Sequence, residues 1–153
     1  MYFEDFISEI GNKKIKIYVD MDGVIADYVV GDPYDYDKKR PLRSNIKNLE
    51  EVSKMENVDV YILSASRMNC GVDEKNVWLD INAPFFKKEN RNILPRELYN
   101  FEKSSEELKV DFIRNIERDG SQIIIIDDDP MILKTIKKEF PDVIVLKDTA
   151  LVD

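Results

Sequence analysis

The chain has no histidine, one cysteine and one tryptophan in 153 residues. Without histidine there is no Ser–His–Asp triad, no phosphohistidine and no usual zinc site. Cys70 alone makes no intrachain disulfide, which fits a reducing compartment and an expected cytoplasmic location. Six residues further on, position 76 holds asparagine rather than arginine, which argues against a cysteine-based phosphate loop. No apolar stretch approaches membrane-spanning length. The start Met1-Tyr2-Phe3-Glu4-Asp5-Phe6 lacks the basic residues and apolar run of a secretion signal. Basic charge is also short: 23 lysines and arginines stand against 31 aspartates and glutamates, a net charge of −8. Such a chain is poorly steered toward nucleic acid or an anionic membrane unless a basic patch is concentrated locally.

What remains is an ordinary globular composition, 43% hydrophobic and 35% charged. Its length suits one domain with a real core, expected over residues 1–153. Phe3, Phe6, Ile7 and Ile10 recur at helical spacing, an amphipathic lead-in over 1–14. Ile15, Ile17 and Val19 alternate with Lys16 and Tyr18, the pattern of a strand. Residues 24–41 read as a long loop rich in Asp, Tyr, Gly and Pro, and loops this long in compact domains are usually functional or mobile. A helix is expected from Arg43 to Glu56, and a second strand through Val58, Val60, Ile62 and Leu63. Asp73 is placed to cap a helix burying Val77, Trp78 and Ile81. Pro84-Phe85-Phe86 reads as a short third strand, and Lys87 to Arg96 as a polar loop. Ser104 and Glu107 have capping-box spacing. Gln122 to Ile126 is apolar on both faces, as central parallel strands are. Pro130 can then open a helix capped by Asp129, and Val143 to Val145 form the last strand. Strand and helix alternate throughout. The expected fold is therefore α/β, a three-layer α/β/α sandwich around a mainly parallel five-stranded sheet.

Three strands end in polar residues: Asp20 and Asp22, then Ser64, then Asp127 and Asp128. In a parallel sheet those tips share the edge where ligands bind. Carboxylates crowded there repel unless a cation or proton sits between them. Magnesium takes oxygen ligands and keeps several waters, so a few carboxylates plus a substrate phosphate would suit it. A lysine before the fourth strand would complete the charge balance. Lys109 is best placed, with Lys103 second.

Each element also has a bland reading. Asp-x-Asp-Gly can be a solvated turn and Asp127–Asp129 a helix cap. Ser64 alone can be a hydrogen-bonded strand end, and Lys109 a surface lysine. Arg67 divides between substrate contact and exposed rim charge. Trp78, Phe85 and Phe86 read as core, and Lys38-Lys39-Arg40 as a solvated loop, with a substrate-binding edge as the other reading.

In combination the tips resemble the haloacid dehalogenase (HAD) superfamily of phosphohydrolases. Asp20-Met21-Asp22-Gly23-Val24 looks like its first motif, Ser64 its second, Lys109 its third, and Asp127-Asp128 its fourth. The resemblance covers roughly residues 15 to 146. It implies that Asp20 attacks phosphorus to form an aspartyl-phosphate, while Asp22 serves as acid and then base. It implies Mg2+ on Asp20, the Asp22 carbonyl and Asp128, with Asp127 in support, and phosphoryl oxygens held by Ser64 and Lys109. The segments from Asp22 to Ser64 and from Ser66 to Glu107 leave no room for a large cap, at most a lid loop over 24–41 with a contribution from 87–103. An open site of that kind suits a bulky substrate or a partner subunit that closes it.

Two subfamilies look closest. Asp20 to Asp27 with Ile126-Asp127-Asp128 is similar to 5′(3′)-deoxyribonucleotidases, without their helical cap. Arg40-Pro41-Leu42, the Ser64-Ala65-Ser66-Arg67 turn and the Lys109-to-Asp127 spacing look like the 3′-phosphatase domain of polynucleotide kinase/phosphatases, with Arg67 offset by one residue. The shared expectation is a phosphomonoester on a nucleotide or nucleic-acid end, and no membrane partner. Two other readings stand beside it. A receiver-like phosphoacceptor would need its acidic, hydroxyl and lysine positions in a different strand order. A catalytically silent HAD-like binding module would keep the motifs without turnover.

Overall fold

Apolar β-branched runs separated by amphipathic helices can bury both faces of a sheet only by layering helices on each side. A computed structural model describes residues 2–28, 36–66, 69–96 and 102–152. In chain order, α1 (Phe3–Ile10) precedes β1 (Ile15–Val19), α2 (Arg43–Ser53), β2 (Val58–Ser66) and α3 (Asn69–Asn82). Then come β3 (Arg91–Pro95), α4 (Ser105–Asn115), β4 (Gln122–Asp127), α5 (Pro130–Glu139) and β5 (Ile144–Lys147). Short 3₁₀ turns lie at Tyr36–Lys38, Lys88–Asn90 and Asp148–Leu151. The five strands form one sheet in the order β3-β2-β1-β4-β5, and every pairing is parallel. This is the expected α/β fold.

The strand period of two divides the core. Ile15, Ile17 and Val19 of β1, with Ile124 and Ile126 of β4, pack on one face against Phe3, Ile7, Leu49, Val52 and Trp78. Tyr18, Ile123 and Ile125 pack on the other against Leu108, Ile113, Leu133 and Ile136. So α1, α2 and α3 cover one face, and α4 and α5 the other. Local signals set the helix starts. The Ser104 hydroxyl accepts from the Glu107 N–H at 3.2 Å, and Asp129 accepts from the Met131 N–H at 2.9 Å with Pro130 as the first helical residue. Among the described residues no helix is long and apolar enough to cross a membrane.

Three expectations need correction. The third strand is Arg91–Pro95, inside the segment read as a polar loop, while Pro84-Phe85-Phe86 is a turn. Only Ile93 and Leu94 are apolar there, too few to make a run, and the strand takes its pairing from β2 at the sheet edge. An edge position also tolerates Pro95. Helix α3 begins four residues before Asp73, and its buried side is Lys75, Trp78 and Leu79 rather than Val77 and Ile81, which are exposed. Helix α2 stops at Ser53, short of Glu56. The 24–41 segment is described only in part, since 29–35 lie outside the described residues.

Candidate active site

The chain crosses the sheet at the β1/β4 junction, the switch point where open α/β sheets hold ligands. Val19 pairs with Ile126, and the Asp20 N–H donates to the Ile126 carbonyl at 3.0 Å. Asp20 and Asp127 therefore emerge side by side. After Asp20 the chain folds back on itself: the Met21 carbonyl accepts from the N–H groups of Val24, Ile25 and Ala26 at 2.9–3.2 Å. Gly23 sits at φ +81°, a conformation that side chains disfavour. Carboxylate oxygens of Asp20, Asp127 and Asp128 lie within 4.8 Å of one another. Asp20 and Asp127 are buried and Asp128 is half-buried.

A Cβ at position 23 would overlap Asp128 Oδ2 and stand 2.9 Å from the Tyr28 ring. The missing side chain is what lets Asp128 close on the cluster. Gly23→Ala is expected to cost more than about 1 kcal/mol, because the backbone angle is strained as well as the space filled. It should also displace Asp128. A thermal melt with and without magnesium would show both a lower Tm and a smaller magnesium response.

Lys109 lies in the cluster. Its ammonium is 2.6 Å from Asp127 Oδ2 and 3.1 Å from Asp20 Oδ1, and the residue is 3% exposed. Helix α4 presents it beside Leu108, one turn after the Ser104 cap. Lys103 pairs instead with Asp111, away from the acids. Ser64, near the end of β2, is buried and accepts from the Lys75 ammonium at 2.8 Å. Lys75 also donates to the Ala65 carbonyl at 2.9 Å and stands 3.4 Å from Asp22 Oδ2. The other oxygen of Asp22, Oδ1, takes the Lys39 ammonium at 2.6 Å. The Tyr28 hydroxyl donates to Asp128 Oδ2. Arg67 lies outside the described residues.

Burial and pairing pull these groups in opposite directions. Burial pushes the Asp20 carboxyl up from 3.8 to about 6, against the pull of Lys109 and with Asp127 adding repulsion. Asp127 and Asp128 are raised too, chiefly by burial. Burial would also raise Asp22, but Lys75 and Lys39 outweigh it and hold the carboxyl below its usual value. Burial lowers Lys75. Burial would lower Lys109 as well, yet Asp20 and Asp127 raise it above the ordinary lysine value. Burial thus disfavours the ionised form of all three acids, and a divalent cation bound among them would favour it.

Lys39, Lys75, Tyr28 and Tyr36 escape the sequence pattern. Lys75 has a usable signal, since it falls at i−3 and i−4 from Trp78 and Leu79 on the buried stripe. A lysine on that stripe needs an anionic partner. Lys39 sits in a basic triplet that reads as solvated, although it is 9% exposed. Tyr28 follows Asp27 in an irregular loop, where periodicity carries no information.

No protein-family model and no curated protein matches the sequence. Solved structures do match its fold. A chain of the Pnkp1/Rnl/Hen1 RNA repair complex aligns with a TM-score of 0.69 at 15% identity, over 90% of this chain and 43% of that one. The N-terminal part of BF1531 from Bacteroides fragilis, containing a phosphatase domain complexed with Mg, aligns at 0.58 and 21% identity, over 93% and 38%. The HAD domain of the effector protein Lem4 from Legionella pneumophila aligns at 0.54 and 17% identity, over 88% and 84%. The chain thus spans less than half the length of the first two. In fold the chain is similar to a HAD domain and to a phosphatase domain.

Proposed function

We propose that this chain is a magnesium-dependent phosphomonoester hydrolase working through an aspartyl-phosphate on Asp20. The observation that carries the reading is the gathering of Asp20, Asp127 and Asp128 at one strand edge, with Lys109 between the first two. The donor set fits magnesium: all carboxylate oxygens, no nitrogen or sulfur, and a glycine cradle against Asp128. Asp20, Asp128 and the Asp22 carbonyl would hold the ion, with Asp127 in support. Once bound it would screen the repulsion between an anionic nucleophile and an anionic phosphate.

This chain's own residues supply the rest. An Asp20 oxygen attacks phosphorus, and the bond to the leaving oxygen breaks. Asp22, held ionised by Lys75 and Lys39 before substrate binds, takes up a proton with the phosphate monoanion and gives it to that oxygen. Water then attacks the phosphorus of the aspartyl-phosphate, and Asp22 takes the water proton as the Asp20 oxygen departs. Ser64 and Lys109 hold phosphoryl oxygens and offset charge in both transition states. The described parts of the 24–41 loop border the acids through Tyr28 and Lys39, where a lid would sit, and the chain acts as one domain.

The substrate class is a phosphate on a nucleotide or nucleic-acid end. The motif resemblance supports it, as does the likeness to a chain of an RNA repair complex. A net charge of −8 favours small or terminal substrates over long polyanions. A phosphatase screen with magnesium tests this, setting mononucleotides and 3′-phosphorylated oligonucleotides beside sugar phosphates and phosphopeptides. Preference for the first two supports the reading. Turnover confined to the last two contradicts the substrate class.

A further inference from the structure

The phosphatase mechanism assigns no step to two basic groups, Lys39 and Lys75, both paired with Asp22. Lys39 is a buried lysine in a loop, and its placement does not depend on Asp22 alone. Its carbonyl accepts from Trp78 Nε1 at 2.9 Å in the buried core. Its N–H donates to the Tyr36 carbonyl at 3.1 Å. Its ammonium lies 4.6 Å from the centre of the Tyr36 ring, and that ring meets Trp78 edge-on at 6.0 Å and 85°. Holding a lysine this tightly costs rotamer entropy. Two hydrogen bonds fix the Lys39 main chain and the Tyr36 ring lies against its ammonium, which reaches Asp22 Oδ1 at 2.6 Å.

Resting on the phosphatase reading, we propose that Lys39 is a positioning residue that, with Lys75 on the opposite oxygen, locks the Asp22 carboxylate for hydrolysis of the aspartyl-phosphate. Each Asp22 oxygen has its own ammonium, Lys39 at 2.6 Å on Oδ1 and Lys75 at 3.4 Å on Oδ2. Lys39, directly after the 3₁₀ turn at Tyr36–Lys38, and Lys75, in α3, come from different elements, so the carboxylate cannot rotate without breaking one pair. In the second half-reaction the water oxygen bonds to phosphorus, and the bond to the Asp20 oxygen breaks with its electron pair returning to Asp20. The water proton passes to Asp22. That transfer needs an Asp22 lone pair at a fixed point. The first half-reaction on an aryl phosphate does not, because an aryl oxide leaves without being protonated. Lys39 therefore matters to one half-reaction and not to the other. Lys75 is less selective, since it also holds Ser64.

The test is Lys39→Met with 4-nitrophenyl phosphate and magnesium at neutral pH, with acid-quenched samples assayed for protein-bound phosphate. The expected result is a kcat reduced by about 10- to 100-fold with kcat/KM within about threefold of the wild type, the size of effect a misplaced catalytic group produces. Phosphorylated protein should occupy a larger share of the steady state than in the wild type. Trp78→Phe keeps an aromatic ring and removes the donor to Lys39, so it should shift kcat and phosphorylated protein the same way by a smaller factor. That variant decides the matter if Lys39→Met does not fold. An unchanged kcat, or kcat and kcat/KM falling together without phosphorylated protein accumulating, overturns the role of Lys39 and leaves the phosphatase reading standing. A wild-type protein with neither turnover nor bound phosphate overturns that reading, and this inference with it.

Discussion

Asp20→Asn is expected to eliminate phosphatase turnover while the protein stays folded, a loss on the order of 10⁴-fold or more, as for other single nucleophile removals. Asparagine has nearly the same shape and keeps a hydrogen-bond acceptor for the Asp20 site. Lys109 retains Asp127 at 2.6 Å, so the substitution leaves no buried ammonium unpaired. Charge predicts a second consequence. The Asp20 carboxyl is pushed up by burial from 3.8 to about 6. Between those values the folded protein binds a proton that the unfolded chain releases. Wild-type stability without metal therefore falls as pH rises through that window. Asparagine does not titrate. The Tm of Asp20→Asn minus that of the wild type should grow between about pH 4 and pH 6 and level off above. Thermal melts in a chelator across that range measure it. Turnover near the wild-type rate, or a Tm difference that shrinks with rising pH, would contradict the placement of Asp20.

Lys109→Met should be the most destabilising single change at the site. It leaves Asp20 and Asp127 buried beside each other with their shared cation gone. Removing one partner of a buried pair costs about 3–5 kcal/mol. For a chain of this size that is a Tm loss of roughly 10 °C. The loss should shrink on acidification, because protonated carboxyls no longer need the ammonium. Lys103→Met is the natural control. Its pair with Asp111 is part-exposed, so its loss should stay within about 1 kcal/mol. Chemical denaturation of both variants separates the two lysines. Equal stabilities would mean that Lys109 is not the cation holding the acids together.

The contrast between those two lysines shows what is legible in the sequence. Strand β4 announces itself, since four consecutive isoleucines can only be buried on both faces and three aspartates end the run abruptly. The same abrupt change marks Asp20 after Val19. Alternation of strand and helix makes the sheet parallel and puts the strand tips on one edge, while the strand order that sets β1 beside β4, and so Asp20 beside Asp127, comes from the structure. Strand β3 is illegible because pairing with β2, not its own two apolar residues, makes it a strand. Helix α3 is misphased for a related reason. Its buried stripe contains Lys75, and a stripe that includes a charge does not register as apolar. Lys39 is the extreme case. Nothing local distinguishes it from Lys38 and Arg40, and its burial comes from Trp78, 39 residues further along.

Everything proposed for the site depends on Asp20, Asp127 and Asp128 sharing one cation. A calorimetric or fluorescence melt of the wild-type protein with magnesium, beside Asp128→Ala, tests this directly. Magnesium at about a hundred times its dissociation constant should stabilise the wild type by about 2.7 kcal/mol, which for this chain length is a Tm rise of about 5–10 °C. Asp128→Ala should lose most of that rise while still melting cooperatively. A wild-type Tm indifferent to magnesium, or an equal rise in Asp128→Ala, would contradict the shared site.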